Sequence, residues 1–439
     1  MGTSGRLSVR PSAWLRRRDW PIHPDPAPDA ETPPESRGIQ AKLCDVDERA
    51  LTERLITYDT SSPEGMQAAA AFVYGWLEAR DVEVKGDEHN GLPVLAATVG
   101  ARTGPTVVLH GHLDVVPGLP EQFEPRVEGD RLYGRGAYDM KGGFAAMMCA
   151  VRDLAAQREV KVHLVCVFDE ESDEQGKRGT DYVVEKGYLG DFAITGEPTN
   201  LHIGVQAKGV LALGVQVRGR SAHGATPWLG DNAVVKAVDV FRAIESLPFT
   251  RESSDLFDRP SISLGRIAGG DAVNRVPDHC RIDLDIRYLP GQDPGQIIEA
   301  VGSQADVDIV KVFHREPIVV SRDNHFVQVL QEAVSKVTPL RDSIAVGRDG
   351  TSDVISFLNA GVPGVEFGPS GDGHHGPEEW VSIESLDSYR EALVEFVTLI
   401  PQRAQEPPGR LPEGAVPPLD GSRGCKGGGA PLDVNLKIA

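Results

Sequence analysis

The 439-residue chain exceeds what one simple core accommodates, and at about 100–200 residues per domain two or three domains are expected. Its 45 Lys and Arg residues against 65 Asp and Glu give a net charge of −20, which disfavours nucleic acid and anionic membranes as partners and suits cation coordination. The five cysteines are scattered with no Cys-x-x-Cys spacing, which argues against a disulfide framework and fits a reducing compartment.

No apolar run approaches the ~18–20 residues of a transmembrane helix. Arg16-Arg17-Arg18 is followed by Asp19-Trp20-Pro21 instead of the apolar stretch of a secretory signal, so a cytoplasmic protein is expected. Residues 1–44, dense in Pro, Arg and acidic side chains, and 402–439, with Pro407-Pro408 and Gly427-Gly428-Gly429, read as disordered tails. Helical spacing covers 47–57 and 66–80, and strands are expected at 94–99 and 106–110. An apolar helix at 143–156, a strand at 162–168 and a short strand at 191–195 follow. A different rhythm then sets in: strand 210–218, helix 232–244, strands 261–267 and 280–288, helix 294–301 and strand 307–313. Arg281 to Arg287 alternate with period two, so one face of that strand is wet. The β-α-β-β-α-β order is that of a ferredoxin-like unit. Helices at 326–337 and 351–359, a strand at 364–368 and a helix at 382–399 complete the chain. The expected architecture is an α/β domain formed by 45–208 and 320–401, its sheet covered on both faces, interrupted by an α+β insert at 209–319.

In open α/β sheets ligands bind beyond the carboxyl ends of strands. Four expected strands run into His112-Leu113-Asp114, Asp169-Glu170-Glu171, Gly196-Glu197-Pro198-Thr199 and the 373–379 segment with His374, His375, Glu378 and Glu379. Asp139, in the glycine-rich run 134–143, adds another carboxylate. Each cluster alone is an ordinary solvated turn, but together they place histidines and carboxylates on one sheet edge. A divalent cation relieves the repulsion among such carboxylates, and mixed nitrogen and oxygen donors suit zinc.

These segments, in this order, resemble the M20 metallopeptidase family, which includes succinyl-diaminopimelate desuccinylases, acetylornithine deacetylases, aminoacylases and glutamate carboxypeptidases. The resemblance implies a zinc-exopeptidase-like catalytic domain, with the insert as a ferredoxin-like lid through which homodimers form. It implies two Zn2+ ions per subunit, with Co2+ as a substitute. His112, Asp139 and Glu197 would hold one and Asp139, Glu171 and His375 the other, Asp139 bridging. Asp114 would orient the His112 ring, and Glu170 would be the general base, taking a proton from the metal-bound water and handing it to the leaving amine. His110 reads as a packing residue or as a support behind the ligands. His374 reads as peripheral, because His375 and Glu379 match the family's His-x-x-x-Glu spacing. In the lid, His223 would stabilise the oxyanion in the partner subunit's site, and Asn274 and Arg287 would grip a substrate carboxylate. Gly350, Thr351 and Ser352 open a helix and resemble the desuccinylase form of an anion-binding loop. The implied activity is amide hydrolysis of N-acyl amino acids. A dipeptidase or metallocarboxypeptidase is the alternative, and a silent metal-binding scaffold fits less well because neither a ligand nor the base is missing.

Overall fold

The computed structural model describes residues 47–172, 177–340, 343, 346–350 and 352–404. The expected tail 1–44 and residues 405–439 lie outside them. The first helices are α1 (Glu48–Ile56) and α2 (Pro63–Glu78). Asp47 and Ser62 cap them, each side chain accepting a backbone N–H of the first turn. Then come β1 (Glu83–His89), β2 (Leu92–Gly100), β3 (Thr106–His112), β4 (Arg126–Glu128) and β5 (Arg131–Tyr133). α3 (Gly142–Leu154), β6 (Lys161–Val167), α4 (Gly179–Glu185), β7 (Phe192–Thr195) and β8 (Gly204–Ala207) follow. The next block is β9 (Gly209–Arg218), α5 (Ala233–Glu245), β10 (Ser261–Gly269), β11 (His279–Tyr288), α6 (Pro294–Gly302) and β12 (Val307–Arg315). The remaining elements are β13 (Ile318–Val319), α7 (His325–Val337), β14 (Val346–Arg348), α8 (Val354–Asn359), β15 (Gly364–Glu366), β16 (Gly371–Asp372), β17 (Trp380–Ser382) and α9 (Ile383–Ala404).

The central sheet is mixed, in the order β1-β2-β6-β3-β7-β15-β8-β13, with β14 added beside β8. β6, β3, β7 and β15 run parallel, so their carboxyl ends share one edge. Both faces are covered. Val107 and Leu109 of β3 enter the core that includes α1, α2, α3, α7 and α9, while Val108 enters the core with Val183 and Phe357 of α4 and α8. Burial on both sides explains why these strands read as unbroken apolar runs.

The 209–315 block forms a separate antiparallel sheet in the order β10-β11-β9-β12. Cys280, Ile282, Leu284, Ile286 and Tyr288 of β11 are buried against its helices, and the intervening Arg281, Asp283, Asp285 and Arg287 are not. A third sheet, β16-β17-β5-β4, has strands of two or three residues, too short to show a period. Several expected boundaries shift by two to five residues, among them those of the second helix, observed as Pro63–Glu78, and of β3, which runs on to His112. The 351–359 helix begins only at Val354, and α9 continues past Pro401 to Ala404. Arg403 Nε donates to Glu332 Oε2 of α7 at 2.9 Å, which ties down that last turn.

At the junction of the two larger sheets Gly209 faces the buried ring of Tyr288, whose hydroxyl lies 2.6 Å from His314 Nε2. A Cβ on Gly209 would sit 2.2 Å from Tyr288 Cζ, so the strand can enter here only without a side chain. Gly209→Ala is therefore expected to destabilise the protein by about 1–3 kcal/mol, read from denaturant midpoints, and an unchanged midpoint would contradict this packing.

Candidate metal centre

The parallel register places His112 of β3 beside Val167 of β6, so the turn after β6, with Glu170 and Glu171, opens next to His112. β7 ends at Thr195, directly before Gly196 and Glu197. Asp139 arrives from another direction, on the bulged turn Ala137–Lys141 that leads into α3. His375 comes from the loop between β16 and β17.

His112 is fully buried, and its Nδ1 donates to the main-chain carbonyl of Asp114 at 3.0 Å. The observed hydrogen bond from the ring is to the Asp114 backbone, where the expectation was its carboxylate. Its carboxylate stands 3.5 Å away and also accepts the Glu171 N–H at 2.8 Å. With Nδ1 engaged, the Nε2 lone pair points inward. Nε2 lies 3.4 Å from Asp139 Oδ1 and 3.8 Å from Glu197 Oε1. On the far side, His375 Nε2 lies 3.4 Å from Asp139 Oδ2 and 2.8 Å from Glu171 Oε1. The two oxygens of Asp139 therefore face different histidines.

The electrostatics record a crowded site. Burial pushes the Glu197 carboxyl well above the usual range, and the charge of Asp139 adds to this. Burial raises Glu170 too, while His112 and Arg178 pull the other way. Asp139 is also buried, but the nearby imidazoles of His112 and His375 outweigh that and hold it far below the usual carboxylate range. The closeness of Asp139, with the hydrogen bond to Glu171, pushes the His375 imidazole up to about 10. Burial draws His112 down, yet Asp114, Asp139 and Glu197 more than offset it and raise its pKa.

His112 Nε2, Asp139 Oδ1 and Glu197 Oε1 are buried with no hydrogen-bond partner among the described residues. Three such atoms, converging and left without donors, fit a cation, since each would otherwise carry a desolvation penalty. Ligand atoms of His112, Asp139 and Glu171 all lie within 4.8 Å of one another.

One contributor escaped the sequence reading except as half of a spacing. The buried Glu379 carboxylate accepts Arg135 Nη1 at 2.8 Å and the backbone N–H groups of Gly136, Tyr138 and Asp139 at 3.0, 3.0 and 3.1 Å. It clamps the turn that presents Asp139. Gly136 in that turn has φ 79°, and a Cβ there would lie 2.8 Å from Lys141 and Val115. His110 is buried with Nε2 2.8 Å from Thr180 Oγ1, and exposed His374 sits edge-on to Tyr138.

The insert residues are not brought to this centre within one chain. His223 and Asn274 are exposed on neighbouring loops, joined where the Gly224 N–H donates to the Asn274 carbonyl. No hydrogen bond or ion pair among the described residues links His223 to the metal-binding cluster. Arg287 already spends its fork on Asp285, at 2.9 and 3.0 Å. Gly350 is exposed, Ser352 is buried with its hydroxyl lacking a partner among the described residues, and Thr351 lies outside the described residues. The helix beyond them has six residues, so its dipole offers an anion less than a long helix would.

Residues 108–399 match the family model described as peptidase family M20/M25/M40. The chain belongs to this family. It is similar to the succinyl-diaminopimelate desuccinylase of Granulibacter bethesdensis, 31% identical over 336 residues covering 69% of this chain and 85% of that one. It is also similar to the acetylornithine deacetylase of Proteus mirabilis, 26% identical over 372 residues covering 79% and 93%. In fold it is similar to an M20 family metallo-carboxypeptidase from Sulfolobus solfataricus, with TM-score 0.67 and 19% identity over 81% of this chain and 100% of the other. This M20 protein is accordingly a metal-dependent hydrolase with the family's α/β fold. No helix among its described residues is long and apolar enough to cross a membrane.

Two outcomes follow from the geometry. Glu379→Gln removes half of a buried ion pair and loosens the Asp139 turn, so metal affinity is expected to fall about 10–100-fold, and unchanged affinity in a metal titration would contradict the clamp. Metal loading must displace protons from histidines whose pKa values the carboxylates have raised. Affinity is therefore expected to climb with pH from about 6 to 9, with proton release measurable by calorimetry in buffers of different ionisation enthalpy. A pH-independent affinity would contradict this assignment.

Proposed function

We propose that this M20-family hydrolase cleaves the amide bond of N-acyl amino acids, as an acetylornithine/succinyl-diaminopimelate-type deacylase, at a site for two Zn2+ ions. The observation that carries the reading is the carboxylate of Asp139, one oxygen toward His112 and Glu197 and the other toward His375 and Glu171. In that arrangement His112 and Glu197 would hold one cation and His375 and Glu171 the other, with Asp139 shared between them. Bound divalent cations supply Lewis acidity that acidifies water and polarises a carbonyl, and Co2+ substitutes for Zn2+ in such donor sets.

The chain's own residues supply the rest. Glu170 Oε takes the proton of the attacking water and delivers it to the departing nitrogen, and burial that favours its neutral form helps it hold that proton between the two steps. His223 Nδ1 accepts the Ala225 N–H, which leaves the ring hydrogen on Nε2, free to donate to an oxyanion. It acts in the site of a partner subunit, with the 209–319 insert as the lid and pairing domain. Trp228, Leu229 and Val235, exposed at 75%, 61% and 57%, give that insert an apolar face that supports pairing. Asn274 and Arg287 grip the substrate carboxylate, which takes the place of Asp285 on the guanidinium, and the Gly350-Thr351-Ser352 sequence is a candidate anion-binding loop. The desuccinylase and deacetylase relatives support acylated amino acids as substrates. A carboxypeptidase or dipeptidase activity is the second reading, supported by the fold shared with the Sulfolobus enzyme.

Glu170→Gln is expected to keep its metal and lose about 10²–10⁴-fold in kcat, and near-normal turnover by that variant would end the general-base assignment. Initial rates on N-acetylornithine, N-succinyl-diaminopimelate and unmodified dipeptides separate the two readings. Faster cleavage of the dipeptides would favour the second.

A further inference from the structure

The turn that carries Glu170 is fastened residue by residue. Asp169 Oδ2 accepts the Gly179 N–H at 2.7 Å, the Glu170 carbonyl accepts Arg178 Nη1 at 2.7 Å, and the Glu171 N–H donates to Asp114 Oδ2 at 2.8 Å. The middle residue differs from its neighbours, because the nitrogen that holds its main chain also addresses its side chain. Arg178 Nη1 lies 3.4 Å from Glu170 Oε1. The Glu170 side chain is 17% exposed, so packing alone does not fix its position.

Arg178 is itself anchored. The same Nη1 lies 3.4 Å from Oδ1 of Asp353, whose side chain is almost wholly buried and whose Oδ2 accepts the Thr180 hydroxyl. Since Thr180 spends its hydrogen on Asp353, its oxygen must accept from His110 Nε2, 2.8 Å away. Thr180 and His110 are fully buried. A continuous series of contacts thus runs from His110 on β3, the strand that also ends in His112, through Thr180 and Asp353 to the guanidinium beside Glu170. Arginine suits the last position because its charge is permanent and its planar group can serve a carbonyl and two carboxylates at once.

We propose that Arg178 is the positioning residue for Glu170, holding its carboxylate toward the metal-binding cluster, with Asp353, Thr180 and His110 as the buried support that fixes the guanidinium. This rests on the reading of Glu170 as general base. The role goes beyond local folding, since Asp169 and Glu171 secure the turn through bonds of their own.

The test uses the full-length, metal-loaded protein and whichever substrate of the N-acyl amino acid and dipeptide panel it cleaves fastest. Arg178→Ala is expected to lower kcat about 10–100-fold, as loss of a supporting group beside a metal site typically does, with KM and metal content nearly unchanged. The absorption spectrum of the Co2+ form is expected to stay that of the parent. Arg178→Lys recovers part of the rate, and guanidinium chloride, far below unfolding concentrations, accelerates Arg178→Ala but neither the parent nor Glu170→Gln. In the Glu170→Gln background, Arg178→Ala costs little more. Unchanged kcat in Arg178→Ala, or a loss that tracks lost metal and is not relieved by lysine or guanidinium, overturns the proposal. Should Arg178→Ala fail to fold, Arg178→Lys and Arg178→Gln decide it: equal kcat in the two overturns it, and a faster lysine variant supports it. Full activity in Glu170→Gln would instead overturn the general-base reading, so the two failures are told apart.

Discussion

Carboxylates do not gather in a dry place without a reason. Asp139, Glu170, Glu171 and Glu197 meet beyond the carboxyl ends of parallel strands, where burial opposes the ionisation of Glu170 and Glu197. Two histidines relieve part of that cost and leave buried atoms of His112, Asp139 and Glu197 without partners among the described residues. Bound cations would resolve the conflict, and Asp139 would be the pivot because its two oxygens face different histidines. The rest of the catalytic architecture follows from the need to hold that one side chain between two donor groups.

How it is held shows in the supports. Glu379 binds three backbone amides of the turn bearing Asp139, together with Arg135, and Asp114 links His112 to the Glu171 backbone. The strand ends alone would not suffice, because Asp139 and His375 arrive on irregular chain. Rigid parallel strands fix His112 and the approach to Glu197, and buried hydrogen bonds bring the loop residues to them. The two sets together make a preorganised site out of parts from distant stretches of sequence.

The legible part of the fold was the part with a period. Strands such as β3 and β6, buried on both faces, and the alternating β11 announce themselves in their apolar pattern. The candidate ligands stood out in the sequence because most follow such a strand or a glycine-rich turn. What was not legible had no period or drew its stability from afar. β1 is a charged edge strand, and the β16-β17-β5-β4 sheet is built from fragments. The end of α9 depends on Arg403 reaching Glu332. Glu379 looked like one more acid on a charged loop, since its work is done on backbone amides some 240 residues away in sequence. Nor could spacing show that Arg287 is occupied by Asp285, or that Asp114 holds His112 through a carbonyl.

The account stands on Asp139 serving two cations at once. Equilibrium titration of metal-free protein with Zn2+, counting bound ions per chain for the parent and for Asp139→Ala, addresses this most directly. The expected result is two tightly bound ions in the parent and the loss of tight binding at both positions in the variant. A parent that binds a single ion, or a variant that keeps both, would contradict it.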